Sequence, residues 1–291
     1  MYTVGRAAEL TGIPRDTLRK WESRYGIVRP ARSDGGYRLY DDAALRRLVA
    51  MRDLVDAGWA PRAAAARVVA HPGAGASEPE APPGRGDLTG LVRAAEEMDP
   101  YLLELAMVRG LAGDDLAAAV DGWLLPSLAR LGRAWRDGRV SVAGEHFASA
   151  GVQRRLAGIF DAAPAPPATA PHVVVGLARG SRHELGVLAF ATVLRRHAVR
   201  TTYLGGDLPS EDWLSTVRSA TPDAVVIGVP MVEDVPAVRE VVSALARQAP
   251  GLFVGVGGAH QDGITTGGVP LGHLVGRAAT RLADRLRVGR G

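Results

Sequence analysis

The sequence predicts a multidomain protein of mixed α and α/β class, in which two helical domains precede a domain built on a parallel sheet. The chain has 291 residues, more than one ordinary hydrophobic core accommodates. Two stretches, 71–86 and 163–171, are rich in proline, glycine and small residues, which is typical of linkers. Valine-rich runs alternate with amphipathic helices only after the second stretch. We therefore expect domains at 1–70, 87–162 and 172–291, with 71–86 as a linker.

The composition narrows the possible function classes. The formal net charge is +4 and the calculated pI is about 9.8, but arginines are concentrated near the amino terminus, which indicates local contact with a polyanion. The absence of cysteine excludes disulfides and thiolate metal sites. The sequence contains no recognisable signal peptide and no apolar run approaching the roughly 20 residues of a membrane span. We expect a soluble, cytoplasmic protein without a membrane partner.

The first domain is predicted to be a winged helix-turn-helix. Thr3 fits the N-cap of a short helix, Gly12 supplies a turn, and a second helix follows Pro14 with Leu18 and Trp21 on its inner face. The next stretch, "VRPARSDGGYRLYDDAALRRL", offers two short extended pieces around a Ser-Asp-Gly-Gly turn, and then an aspartate that caps a further helix. The hairpin would form the wing.

The outer face of the predicted second helix is basic. A basic helix face is by itself most often solvated, but here it belongs to a helix-turn-helix, whose second helix enters the major groove of DNA. Arg24 flanks this face. The residues expected to meet phosphates or base edges are Arg15, Thr17, Arg19 and Lys20.

The two later domains differ in their patterns. Residues 87–162 have helical periodicity with breaks near Pro100, Gly113 and Gly138, so four helices are expected there. In the third domain, continuous valine-rich strands alternate with helices, which predicts a flavodoxin-like (Rossmann-like) parallel sheet covered on both faces. Ligands of such sheets bind beyond the carboxyl ends of the strands. His183, in the loop "RGSRHELGVLAF" after the first strand, is well placed to reach one.

The motifs of the first domain carry a family resemblance. The order "YTVGRAAELTGI", "TLRKWESRYGI" and "GGYRLYDD" resembles the winged helix-turn-helix of the MerR family of transcription regulators. The resemblance implies a dimer or higher oligomer on a pseudo-palindromic double-stranded operator. It also implies that Tyr37 and Arg38, in the wing, grip the DNA backbone. Trp21, Tyr25 and Tyr40 are interpreted as core residues of this small domain.

The loop of His183 resembles the Asp-x-His-x-x-Gly motif of cobalamin-binding domains, matched at His183 and Gly186. The resemblance implies that His183 coordinates cobalt, and that the nucleotide tail of the cofactor runs beside a later Ser-x-Leu and a glycine pair. Gly257 and Gly258 match that pair, and His260 is a second candidate for contact with the tail or with another chromophore. The motif is incomplete, because Ser181 replaces the acid that supports the histidine, and Pro230 occupies the serine position.

The stretch "WRDGRVSVAGEH" resembles the helical bundle of the CarH and LitR branch of the MerR family. The resemblance implies that Trp135 packs on the 5′-deoxyadenosyl group of adenosylcobalamin, while Glu145 and His146 offer polar contacts to it. The alternative interpretation puts Trp135 in the bundle core and Glu145 at its rim. In light-sensing relatives a histidine directly follows the tryptophan, whereas here Arg136 occupies that position and is unable to ligate cobalt.

The expected function is a transcription regulator, a repressor, in which photolysis of adenosylcobalamin changes oligomerisation, as a dimer or tetramer, and operator binding. No enzymatic activity is expected. One alternative is a non-photochemical sensor of a corrinoid, a bilin-like tetrapyrrole or another small effector. A corrinoid methyl carrier of a methyltransferase is less favoured, because such a carrier has no use for a winged helix-turn-helix.

Overall fold

The computed structural model describes residues 1–32, 36–56, 60–70 and 87–288. The predicted linker at 71–86 therefore lies outside the described residues. The chain divides into two compact units, Met1–Ala81 and Pro82–Gly291. No helix in the described ranges is both long and apolar enough to cross a membrane.

The first unit is a winged helix-turn-helix, as predicted. Thr3 caps the first helix by accepting a hydrogen bond from the backbone N–H of Arg6 at 3.4 Å, and Gly12 makes the turn with φ of 67°. A small antiparallel sheet of order β1-β3-β2 forms the wing, whose turn at 33–35 lies outside the described residues. Asp41 caps the following helix. The elements are β1 Tyr2–Thr3, α1 Val4–Thr11, α2 Arg15–Tyr25, β2 Ala31–Arg32, β3 Arg38–Tyr40, α3 Asp42–Asp56 and α4 Pro61–Ala70.

The second unit begins with a helical bundle whose breaks fall where the sequence predicts them. Pro100 opens a helix capped by Asp99, and Gly113 and Gly138 take positive φ values of 95° and 74° in the connections. The predicted third helix is interrupted by a π-helical turn, which the sequence pattern did not predict. The elements are α5 Gly90–Glu97, α6 Pro100–Gly110, α7 Leu116–Ala119, the π-turn Val120–Leu124, α8 Leu125–Arg136 and α9 Val142–Ala162.

A five-stranded parallel sheet follows, in the flavodoxin-like order β5-β4-β6-β7-β8. The strand order reverses between β4 and β6, and ligands of such sheets bind at the carboxyl ends beside this point. The last strand was not predicted, because it is two residues long and contains a proline. The last helix was not predicted either. The elements are β4 His172–Leu177, α10 Leu185–Arg196, β5 Arg200–Tyr203, α11 Ser210–Ala220, β6 Ala224–Gly228, α12 Val235–Gln248, β7 Phe253–Gly257, β8 Val269–Pro270 and α13 Val275–Val288.

The bundle and the sheet share one hydrophobic core. Trp123 and Leu156 of the bundle belong to the same buried cluster as Val175 of the sheet and Leu188 of α10. Burial of each such side chain contributes about 1.5–3 kcal/mol. The bundle is therefore held on one side of the sheet by packing, and its helices point in fixed directions relative to the loops at the sheet edge.

Candidate functional site

The predicted cobalt ligand lies on an open loop at the carboxyl edge of the sheet. His183 is exposed between β4 and α10, beside the point where the strand order reverses. None of the described residues hydrogen-bonds its imidazole. A Cβ added at Gly186 would meet no atom within 4 Å apart from its own helical turn, so the space next to the loop is open. The imidazole is therefore accessible to a bulky ligand.

The loop of His183 is held in shape by the segment that follows β5. Asp207 donates its backbone N–H to the carbonyl of Ser181 at 2.9 Å, and its Oδ1 accepts from the N–H of Gly180 at 2.7 Å. The hydrogen bond from Gly180, with help from the Arg182 guanidinium, lowers the pKa of the Asp207 carboxyl. Asp207 thus binds the loop backbone at Gly180 through its carboxylate and at Ser181 through its own N–H, and these two bonds hold the loop in place.

A second carboxylate supports the same loop. The hydroxyl of Tyr203 donates to Glu184 Oε2 at 2.7 Å, and burial, together with this carboxylate, raises the pKa of Tyr203. Sequence reasoning missed Asp207, Glu184 and Tyr203. The one signal available was the position of "GGD" directly after a predicted strand, where ligand-binding loops of parallel sheets lie.

Ser181 carries an unmet hydrogen-bonding group beside the predicted cobalt ligand. Its side chain is 1% exposed, and its hydroxyl has no hydrogen-bond partner among the described residues. A buried unsatisfied polar group costs roughly 1–3 kcal/mol. The hydroxyl stands two residues before His183, at the position where the cobalamin motif has an acid. Among the described residues it is thus a hydrogen-bonding group without a partner next to the predicted cobalt ligand.

The glycine pair joins the loops after β6 and β7. Val229 donates its N–H to the carbonyl of Gly257 at 2.7 Å and accepts from the N–H of His260 at 3.0 Å. Gly258 has φ of 112°, and a Cβ there would lie 2.8 Å from the Val229 carbonyl oxygen. A Cβ on Gly257 would meet nothing within 4 Å. Gly258 therefore permits close approach of the two loops, while Gly257 leaves open space beside the loop after β7.

The bundle brings its three predicted cofactor-binding residues to one end. Trp135 lies at the end of α8, and its carbonyl accepts from the N–H of Gly138 in the tight turn to α9. Glu145 and His146 lie in the first two turns of α9, with a Glu145 Oε2 to His146 Nε2 distance of 3.8 Å. The hydroxyl of Ser149 donates to Glu145 at 2.6 Å. Trp135 is 46% exposed, which disagrees with the alternative interpretation as a core residue.

This end of the bundle lies on the same side of the sheet domain as the His183 loop. The carboxyl ends of α9 and α10 meet, because Arg195 donates to the Phe160 carbonyl at 2.8 Å and its guanidinium lies 4.8 Å from the centre of the Phe160 ring. With 21 and 12 residues respectively, the two helices are about 31 Å and 18 Å long at a rise of about 1.5 Å per residue. The longer α9 packs against α10 from these ends, so its start lies toward the side where the His183 loop emerges.

The candidate DNA-binding face is exposed as predicted. Leu18 and Trp21 are buried, and Tyr40 is fully buried in the same core cluster, which agrees with their interpretation as core residues; Tyr25 packs against that cluster from its edge. Tyr37 is 75% exposed. On α2, Arg15, Arg19 and Lys20 are exposed and Thr17 is half-buried.

The wing arginine has a structural partner. Arg38 Nε lies 3.0 Å from both carboxylate oxygens of Glu22 on α2, and the Tyr40 hydroxyl donates to the same carboxylate at 3.2 Å. Burial and Glu22 raise the pKa of Tyr40 to about 12. Sequence reasoning placed Arg38 on DNA and missed Glu22. In the structure, the ion pair ties the wing to the second helix.

The salt dependence of DNA binding tests whether Arg38 contacts DNA directly or holds the wing to α2. We expect Arg19→Ala to reduce the slope of log affinity against log salt by about 0.9, the value for one phosphate contact. Arg38→Ala should weaken binding with little change in slope, because it loosens the wing. Fluorescence anisotropy with a random-sequence duplex measures both, with the exposed Arg218→Ala on α11 as charge-matched control. An equal loss of slope in Arg19→Ala and Arg38→Ala would mean that Arg38 contacts a phosphate itself and does not act only by holding the wing to α2.

Comparison with known proteins agrees with these features. The MerR HTH family regulatory protein model matches residues 2–67, and two B12 binding domain models match residues 88–158 and 171–265. The HTH-type transcriptional repressor CarH of Myxococcus xanthus is 32% identical over 267 residues, 89% of each chain. The chain belongs to this family of MerR-type transcription regulators with B12-binding domains. The HTH-type transcriptional repressor CarA of the same organism is 35% identical over 226 residues, which cover 76% of this regulator and 73% of CarA.

A solved structure shares the fold of the second unit. The monomethylamine corrinoid protein of Methanosarcina barkeri superimposes with a TM-score of 0.53 at 14% identity, covering 67% of this regulator and 96% of that chain. At this identity the likeness concerns the fold alone. The accessible His183, the buried unpaired Ser181 hydroxyl and the open space at Gly186 and Gly257 fit a cobalt corrinoid.

Proposed function

We propose that this regulator is a repressor that uses adenosylcobalamin as a light-sensitive effector. Loaded in darkness, it assembles as a dimer or tetramer on a pseudo-palindromic operator, and light releases it from the DNA. The observation that carries the proposal is the half-exposed Trp135 at the end of the bundle that also carries Glu145 and His146. An exposed aromatic ring close to polar side chains favours a nucleoside, which needs both stacking and hydrogen bonds.

The residues at the sheet edge have distinct roles in this proposal. His183 is the side chain that this regulator offers to cobalt. The Ser181 hydroxyl supports the imidazole less strongly than a carboxylate would, because it carries no charge. Gly186 and Gly257 leave room for the corrin and its tail, and Gly258 lets the two neighbouring loops approach each other.

Three residues of the bundle connect the bound cofactor with the position of the bundle on the sheet. The cofactor supplies a cobalt–carbon bond that visible light breaks. Trp135, Glu145 and His146 hold the bundle to the nucleoside for as long as it is attached. After its loss, the shared core and the polar contacts with α10 and α13 alone determine the position of the bundle, and in this proposal that position differs from the one in the loaded protein.

The free energy by which the nucleoside shifts the equilibrium between two bundle positions has to come from more than one contact. A ligand changes a two-state equilibrium only through its differential affinity, and about 5.5 kcal/mol moves it from 1:99 to 99:1. Stacking of a base on an aromatic side chain provides about 1–3 kcal/mol. Hydrogen bonds of Glu145 and His146 add about 0.5–1.5 kcal/mol each, so the total approaches about 5.5 kcal/mol only when all three residues contribute near the upper end of their ranges. The three residues are therefore needed together.

The proposal is tested with holo-protein in the dark and after illumination. Duplexes retained by dark adenosylcobalamin-loaded protein are selected from a random pool, and binding to them is measured before and after green light. We expect loss of binding, together with a smaller mass in light scattering. The control is methylcobalamin-loaded protein, which lacks the nucleoside. Unchanged binding by illuminated adenosylcobalamin protein would rule out light as the signal.

A non-photochemical corrinoid or tetrapyrrole sensor is the second candidate. It is favoured by Arg136, which follows Trp135 and is unable to ligate cobalt, and by the uncharged Ser181 at the motif position. In this case adenosylcobalamin or another tetrapyrrole would change DNA binding equally in light and darkness. The visible spectrum of the purified protein, with and without added adenosylcobalamin, distinguishes the bound chromophores.

A further inference from the structure

The π-turn of the bundle is bound to the last helix of the sheet domain through one carboxylate. Asp121 Oδ1 accepts from the backbone N–H of Gly276 at 2.8 Å, and Oδ2 accepts from that of Arg277 at 2.9 Å. These N–H groups belong to the first turn of α13, where a helix has no acceptors of its own. Asp121 thus caps a helix 155 residues further along the chain.

The junction around this carboxylate is closely packed. A Cβ on Gly276 would collide with the carbonyl of Ala117 on α7, so the two helices touch backbone to backbone. Beside it, the ring of Trp123 fills the space that a Cβ on Gly110 would need, and its Nε1 donates to the Asp87 carbonyl at 3.3 Å. The π-turn is therefore fixed both to α13 and to the bundle interior.

The same turn leads without interruption into the helix that carries the predicted nucleoside-binding residue. The π-turn Val120–Leu124 runs directly into α8, and Trp135 is the second-last residue of that helix. Trp135 follows Asp121 by fourteen positions, which corresponds to about 21 Å at a rise of about 1.5 Å per residue. One end of this rod is bound to the sheet domain and the other carries the exposed indole. π-turns within α-helices are frequent at functional sites.

We propose that Asp121 is a positioning residue for Trp135. By binding the start of α13, Asp121 attaches the amino end of the rod to the sheet domain as a pivot, and this attachment determines the position of the indole relative to the His183 loop. The inference rests on the proposed function only in so far as Trp135 meets the nucleoside. Without the Asp121 carboxylate, the amino end of α13 loses its cap, but the bundle stays attached through the shared core and the Arg195 contact with Phe160. The far end of α8 is then displaced. A swing of about 10° moves the end of a rod about 21 Å long by about 4 Å.

The first experiment measures this displacement without any cofactor. Because the chain has no cysteine, spin labels are introduced at Asp137→Cys, next to the end of α8, and at Ser219→Cys on α11, both exposed. Pulsed electron resonance then gives the distance distribution in full-length apo-protein. We expect Asp121→Ala to shift or broaden it by several ångströms. The matched control is Asp99→Ala, which removes a carboxylate that also accepts two backbone N–H bonds but caps α6 within the bundle.

The second experiment connects the pivot with the cofactor. In darkness, Asp121→Ala should lower affinity for adenosylcobalamin about tenfold relative to methylcobalamin, which carries a methyl group in place of the 5′-deoxyadenosyl group. If the unsubstituted protein does not distinguish the two corrinoids, the proposed function fails, but the apo-protein distances still test the pivot. An Asp121→Ala distance distribution identical to those of the unsubstituted protein and Asp99→Ala would overturn the inference. If Asp121→Ala does not fold, the same distance measurement is made on Asp121→Asn, which keeps one acceptor oxygen. A distribution identical to that of the unsubstituted protein would then overturn the inference.

Discussion

Replacement of His183 by alanine is expected to remove the protein ligand of cobalt. The imidazole is exposed on a loop that Asp207 and Glu184 keep rigid, so it reaches the metal without a large ordering cost. Substitutions of residues that only support metal ligands cost about 10–100-fold in affinity, and loss of the ligand itself should cost at least as much. Titration with adenosylcobalamin in darkness, followed by visible absorption, gives both the affinity and the spectrum of the coordinated state.

The control for this variant is another histidine of the same domain. His197 follows α10 at the opposite end from the His183 loop, and its ring bonds Thr280 at 3.1 Å. His197→Ala should retain the affinity and spectrum of the unsubstituted protein. If His183→Ala binds adenosylcobalamin with an unchanged spectrum, the assignment of His183 to cobalt is wrong, although membership of the family is unaffected.

Replacement of Trp135 by alanine should abolish discrimination between corrinoids with and without a nucleoside. Stacking on an aromatic ring contributes about 1–3 kcal/mol per base, so the ratio of the two affinities should fall roughly 5- to 150-fold. Trp135→Phe should retain part of the ratio, because a smaller ring still stacks. The measurement compares dark titrations with adenosylcobalamin and methylcobalamin.

A second exposed apolar side chain in the bundle serves as the comparison. Val142 opens α9 and is exposed, but it has no planar ring. Val142→Ala should leave the ratio unchanged. A ratio that is equal in the unsubstituted protein and Trp135→Ala would mean that the indole does not contact the nucleoside.

Local patterns were sufficient to predict most of the fold. The caps of α1 and α3, the turn glycine at 12 and the valine runs of β4 and β6 are all decided by nearby residues, so the sequence displays them directly. The π-turn is different. Its extra residue is accommodated by the fit of Trp123 against Gly110 and by the bond from Asp121 to residues near the end of the chain, which no local window contains.

The same distinction applies to the candidate site. His183, Gly186 and the glycine pair were identified from motif positions at strand ends. Their supporting residues were not, because the contact of Asp207 with Gly180 spans 27 residues between neighbouring strands. Glu22 was missed for the same reason, since its pairing with Arg38 depends on how the wing folds back onto α2. Residues that position others are recognisable only when the register between elements is known.

The core shared by the bundle and the sheet has an evolutionary consequence. Loss or exchange of the bundle or the sheet domain alone would expose apolar surface of the other, so we expect the two to be inherited together as one unit. The amino-terminal unit has an interior of its own. Recombination between the two units would combine the same cofactor-binding unit with a different DNA-binding domain, and each would keep its own interior.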